Sequence, residues 1–110
     1  MAPIFLSLEE RFKTAVLIVG GLLFRPRTPE CDEFNFLPRV KTPVLMVNSR
    51  HDFIFPFETS VQPFYRLLGT PQKDKRLVVL DAGHLLLPKR SELMRETLDW
   101  LDRYLGPVKR

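Results

Sequence analysis

A single cysteine, Cys31, is present among 110 residues. One thiol closes no intrachain disulfide, and without a partner cysteine a structural zinc site lacks its usual ligand set. A reducing compartment tolerates such a chain, and a cytoplasmic location is the expectation. Long hydrophobic runs are also missing. The most apolar N-terminal stretch, Ala15 to Phe24, is interrupted by Gly20-Gly21 and reaches roughly half of the ~20 residues that cross a bilayer. It follows Glu9-Glu10 and not a basic leader, and no small-residue cleavage site closes it, which argues against a secretory signal. No membrane partner is expected. Charge of one sign is scarce too: 17 lysines and arginines stand against 13 acids, for a net charge of +4. Basic residues interleave with acids, as in Lys73-Asp74-Lys75-Arg76, and only Lys89-Arg90 and Lys109-Arg110 hint at a basic patch. No continuous stripe is available for a phosphate backbone, so nucleic acid is not an expected partner.

What remains is the composition of one globular domain. The length is near the common size for a single core, and 45% of residues are hydrophobic. Thr14 to Val19 is a continuous apolar run bounded by Gly20-Gly21, which predicts a strand buried on both faces. Leu22 to Pro43 contains Pro26, Pro29, Pro38 and Pro43 and reads as surface connection with at most a helical turn near Asn35. Val44 to Asn48 predicts a second strand and Arg76 to Leu80 a third. Between them Phe57 to Leu68 reads as a helix ended by Gly69 and Pro71, with Pro63 kinking it or delaying its start. The last helix, Ser91 to Leu105, carries apolar residues at Met94, Leu98, Leu101 and Leu105, widened by Leu93, Trp100 and Tyr104. Ser91 is positioned to cap it and Gly106-Pro107 to stop it. Strand, connection, strand, helix, strand, helix implies an α/β fold, a parallel sheet of three strands with flanking helices joined by crossovers.

Two loops carry the chemistry. Asn48-Ser49-Arg50-His51-Asp52 follows the second strand directly, and Asp81-Ala82-Gly83-His84 follows the third. Both fall at the C-terminal edge of a parallel sheet, where catalytic groups and ligands collect. A histidine acting as general base needs one ring nitrogen free and the other held by an acceptor that fixes the tautomer. Asp52 is the candidate acceptor and His84 the candidate base, with Gly83 allowing a turn that a residue with Cβ would resist. An aspartate that caps a helix and an idle histidine are the plainer alternatives. Cys31 is a candidate thiol nucleophile, although no glycine-rich turn or helix start surrounds it, and an ordinary loop cysteine is the alternative. His51 is a candidate second base, or a metal ligand together with His84, but adjacent residues on an extended segment point opposite ways. Phe53, Phe55, Phe57 and Phe64-Tyr65 either line an acyl pocket or pack the core under the helix. Glu58 suits a helix start, where the dipole favours a carboxylate. Nothing in the pattern calls for a cofactor or a metal.

The run Thr42-Pro43-Val44-Leu45-Met46-Val47-Asn48-Ser49-Arg50-His51-Asp52-Phe53-Ile54-Phe55-Pro56, with Leu68-Gly69-Thr70-Pro71 and Leu80-Asp81-Ala82-Gly83-His84, resembles the C-terminal part of an α/β-hydrolase. More narrowly it is similar to the dienelactone hydrolase, acetyl xylan esterase and prolyl oligopeptidase branch. Glu10 to Gly21 resembles the stretch leading into the sixth strand of that family, and Met1 to Arg11 resembles the end of the helix after the nucleophile. The resemblance implies that residues 1–110 form the C-terminal half of such a domain, that the strands are the sixth, seventh and eighth, and that Asp52 and His84 are the triad acid and base. Family members carry their nucleophile in a Gly-x-Ser-x-Gly elbow upstream of both, and no such motif occurs here. Ser7 lacks flanking glycines, and Ser49 and Ser91 fall in or after the loops already assigned. The expectation is a serine hydrolase fragment for small esters or peptides, inactive unless completed by an upstream half. The alternative is a noncatalytic module that binds a partner, or itself, through the exposed edge of the first strand.

Overall fold

The computed structural model describes residues 2–22, 28, 30 and 32–107. Cys31, Pro26, Pro29 and Lys109-Arg110 lie outside the described residues. Three strands form one sheet in the order β1-β2-β3: β1 is Ala15–Ile18, β2 Val44–Ser49 and β3 Lys75–Leu80. Both pairings are parallel, with Ala15 opposite Val44 and Val44 opposite Lys75. Four helices accompany them: α1, Ala2–Leu8; α2, Glu33–Phe36; α3, Gln62–Leu67; and α4, Arg90–Leu105.

The period-2 alternation of the central strand divides the core into two layers. Val44 and Met46 join Val61, Phe64 and Leu68 on the α3 side, while Leu45 and Val47 join Leu80, Leu86 and Trp100 on the α4 side. Every residue of β2 is buried as a result, which is why this strand reads as a continuous apolar run instead of an alternating one. β1 departs from that expectation. Its residues are only half-buried and Ile18 is 46% exposed, because among the described residues nothing pairs with its outer edge. Ala15 N–H donates to Pro43 and Val19 N–H to Val47; the intervening Val16 and Ile18 therefore turn their backbone groups away from β2. The strand ends at Val19, whose φ of 51° is a strained value for a β-branched residue.

Local chemistry explains the helix boundaries. Asp32 caps α2, its Oδ1 accepting from Phe34 N–H at 3.1 Å. Pro63 delays α3: the chain first winds through a wide turn, Phe57–Val61, with Val61 N–H reaching back five residues to Pro56 at 3.3 Å, and becomes α-helical only from Gln62. α4 starts one residue earlier than its sequence signal, out of a 3-10 turn at Leu87–Lys89, and Ser91 does not cap it because it already lies inside the helix. Gly106, at φ 87°, ends α4 with its N–H on Asp102.

The rotation of α4 also differs from the expected stripe. Trp100 is buried, with Leu93 and Tyr104 beside it on the core, whereas Met94, Leu98 and Leu105 are exposed. Trp100 sets this orientation: its indole N–H donates to Thr14 Oγ1 at 2.7 Å, that hydroxyl donates to Pro43 at 3.0 Å, and the Trp100 ring lies 4.8 Å from Tyr104. On the opposite face Lys75 Nζ donates to Tyr65 O at 2.8 Å and stands 4.6 Å from the Tyr65 ring. Burial holds the Lys75 ammonium below its usual pKa and pushes the Tyr65 phenol above its own.

Candidate functional site

The β2–β3 ladder continues past the strand ends into the two loops. Arg50 N–H donates to Leu80 at 2.8 Å and His51 N–H to Ala82 at 3.2 Å, so the segments 50–52 and 80–84 run side by side at the C-terminal edge of the sheet. Alternation then sends Asp52 inward. Its side chain is completely buried, with Oδ2 at 2.6 Å from His84 Nδ1. Oδ1 accepts two backbone N–H groups, from Ile54 at 2.9 Å and Phe55 at 3.1 Å, closing the Asx-type turn that aspartate favours. Both carboxylate oxygens are thereby committed, one to the backbone and one to the imidazole.

A short bond to a carboxylate is made by the Nδ1–H tautomer, which leaves the lone pair on Nε2. Among the described residues Nε2 makes no hydrogen bond, and the His84 side chain is 27% exposed. That is the arrangement of a base with one nitrogen held and the other accessible. The Phe55 ring lies against the imidazole, centroids 6.0 Å apart and planes inclined by 33°.

His51 faces the other way. Its Nε2 is 2.7 Å from Asp81 Oδ1 on the exposed surface of the same two loops. The opposite orientation of neighbouring residues on an extended segment separates it from His84, and among the described residues no group of three or more His, Cys, Asp or Glu side chains is placed to hold a metal. Asp81 was not singled out by its sequence context; its position directly after β3, diagonal to His51, is the signal that would have found it.

The aromatic run is divided between the two readings. Phe64 is buried in the core with Phe57 packed against it, Phe53 is 84% exposed, and Phe55 stands between the core and His84. Glu58 sits in the first turn after Pro56 and lines an open cleft of about 670 Å³ together with Arg50, His51 and Asp52. Gly83 does not need its freedom, since a Cβ there would meet nothing within 4 Å; the left-handed position in this loop is Leu86, at φ 56°. None of the serines hydrogen-bonds to His84. Ser7 donates to Ile4 at 2.8 Å, Ser49 and Ser60 are buried, and Ser91 lies on α4. Asn48, also missed from sequence, is fully buried and donates from Nδ2 to Gly20 O at 2.7 Å, tying the exit of β1 to the end of β2.

No protein-family profile and no curated protein matches the chain. Solved structures do. A cold-adapted esterase from an Arctic intertidal metagenomic library superimposes with a TM-score of 0.73 at 24% identity, over 94% of this chain and 43% of its own. A Thermus thermophilus protein aligns with a TM-score of 0.76 at 18% identity, over 97% of this chain and 50% of its own. An esterase of Pyrococcus furiosus gives 0.60 at 25% identity over 68% and 29%. The chain has part of the α/β-hydrolase fold and spans half or less of the length of these structures. No described helix is long and apolar enough to cross a membrane.

Proposed function

We propose that this chain is the acid- and base-bearing C-terminal half, residues 1–110, of a serine hydrolase that cleaves ester or peptide bonds through an acyl-enzyme, within the dienelactone hydrolase, acetyl xylan esterase and prolyl oligopeptidase branch. The observation that carries the reading is the 2.6 Å bond between the buried Asp52 carboxylate and His84 Nδ1 at the sheet edge where α/β folds place their chemistry. In the reaction, His84 Nε2 takes the hydroxyl proton of a serine as its oxygen attacks the substrate carbonyl. Asp52 stabilises the imidazolium so formed. The imidazolium then protonates the leaving group; a water, deprotonated by the same nitrogen, attacks the acyl carbonyl, and the proton passes to the serine oxygen as its bond to the acyl carbon breaks and the acid leaves.

Within these 110 residues no Gly-x-Ser-x-Gly occurs, so the nucleophile and its oxyanion donors are supplied by a complementary segment. The isolated chain is expected to show no saturable hydrolysis of p-nitrophenyl acetate, since residual general-base catalysis without a nucleophile and an oxyanion hole is orders of magnitude weaker. Adding a polypeptide that contains the elbow should restore turnover, and His84→Ala or Asp52→Ala should remove it. Saturable turnover by the isolated chain that disappears in His84→Ala would overturn the fragment reading.

A second reading has its own support. The outward backbone groups of Val16 and Ile18, with the Ile18 side chain exposed, suit a cytoplasmic module that pairs with a partner or with itself along β1. Turnover on adding a segment with the elbow separates the two, since a noncatalytic module gains none; a cooperatively melting monomer at every concentration in sedimentation removes self-association through β1.

A further inference from the structure

We propose that Phe55 is the positioning residue of the Asp52–His84 pair and that the bare Cα of Gly21 sets its seat; the inference rests on the reading of that pair as acid and base. Phe55 touches both partners. Its backbone N–H holds Asp52 Oδ1 at 3.1 Å, and its ring lies 6.0 Å from the imidazole. One residue thus fixes the carboxylate through its main chain and backs the imidazole through its side chain.

The seat beneath it admits no side chain. A Cβ at Gly21 would stand 2.8 Å from Phe55 Cδ1 and 3.0 Å from Phe55 Cβ. Because the second atom is next to the backbone, rotating the ring does not clear the clash. The glycine loop cannot yield easily either. Asn48, buried in β2, holds Gly20 O at 2.7 Å; Leu22 N–H bonds Ser60 O at 3.3 Å on the far side; and Val19, at φ 51°, turns the chain into the loop. A methyl group at position 21 therefore displaces Phe55, which pulls its N–H from Asp52, its ring from His84, or both.

The test uses nitrogen-15 and proton NMR of His84 in the 110-residue chain, which reads the pair without turnover. Wild type is expected to show a protonated Nδ1, with a downfield, slowly exchanging proton that Asp52→Ala removes. Phe55→Ala is expected to accelerate exchange of that proton about tenfold, Phe55→Leu to keep most of the protection, and both to retain cooperative melting. Gly21→Ala should lose protection as Phe55→Ala does, and adding Gly21→Ala to Phe55→Ala should change little further, since the ring through which Gly21 acts is gone. A merely structural role would alter melting and leave the His84 signature in place. If Gly21→Ala does not fold, the two Phe55 variants decide. Wild-type exchange in Phe55→Ala overturns the positioning role while leaving the acid–base reading intact; an unprotonated Nδ1 in wild type overturns both.

Discussion

The sheet has two edges, and they are built differently. β3 opens with Lys75 and Arg76; Lys75 folds its ammonium over Tyr65, and Arg76 pairs with Glu96 of α4 at 3.1 Å. Charges of this kind blunt an edge against further pairing. β1 carries Ala15, Val16, Leu17 and Ile18 and no charge. Its composition matches the buried central strand β2, yet its outer side is open among the described residues. The contrast fits a sheet that terminates at β3 and is meant to be continued beyond β1, which is what both proposed readings require. It also teaches that an apolar run reports a strand's fitness for burial and not the presence of its neighbours.

The largest test sets the centre against the open edge. Met46→Ala in β2 is expected to cost about 2–5 kcal/mol in urea unfolding, as for a core methionine or leucine, and Ile18→Ala well under half of that. Equal costs would mean that β1 is covered in solution, and a concentration-dependent cost would identify a second copy as the cover. Gly69→Ala probes the packing of the α3 exit on the segment before β2: a Cβ there would run into Pro38 O and stand 2.8 Å from Val40 O. Overpacking against backbone predicts a loss of about 1–3 kcal/mol or more by thermal melting.

At the β3 edge, Arg76→Ala should cost at most about 1 kcal/mol, since the Arg76 side chain is 56% exposed and such pairs are weak. A larger loss would make that edge a structural seam instead of a solvated end. The smallest effect is in pH dependence. Burial keeps Lys75 below its ordinary value of 10.5, so the unfolded chain binds that proton more tightly and stability rises with pH through the window just below 10.5. Tyr65 and Tyr104 are held above 10.0, chiefly by burial; they stay protonated longer in the folded state, and their contribution is lost as pH rises beyond 10.0. Lys75→Met should remove the rise and leave the fall, read as urea midpoints from about pH 8 to 11.

Legibility followed the range of the interactions. Asp52 and His84 stand out because each follows a buried strand by a few residues, and parallel pairing of consecutive strands brings such loops together without further information. The opposite orientation of His51 was foreseeable from the two-residue period. Its bond to Asp81 follows from the same pairing of strand ends that joins Asp52 to His84, and only the register of β2 against β3 selects Asp81 as the partner. The stripe on α4 misled for a related reason. Met94, Leu98, Leu101 and Leu105 keep helical spacing as well as Leu93, Trp100 and Tyr104 do, and spacing alone does not say which arc faces the sheet. The bond from Trp100 to Thr14, across most of the chain, makes that choice. The position of Gly83 does not use a glycine's freedom, while Gly21, like Gly69, has no room for a side chain and meets its constraint from Phe55 more than thirty residues away.

By itself the sequence determined the three strands, their parallel order, the helices that follow the second and third, and the placement of an acid and a histidine at two adjacent strand ends, because strand period, helix period and proline or glycine punctuation act over a few residues. Tertiary structure alone decided which arc of α4 is buried, which strand edge is open, and how Gly21, Phe55 and Asn48 assemble around the Asp52–His84 bond. Those outcomes depend on close contacts between segments far apart in the chain, where the shape of one side chain selects the position of another and no local pattern records the match.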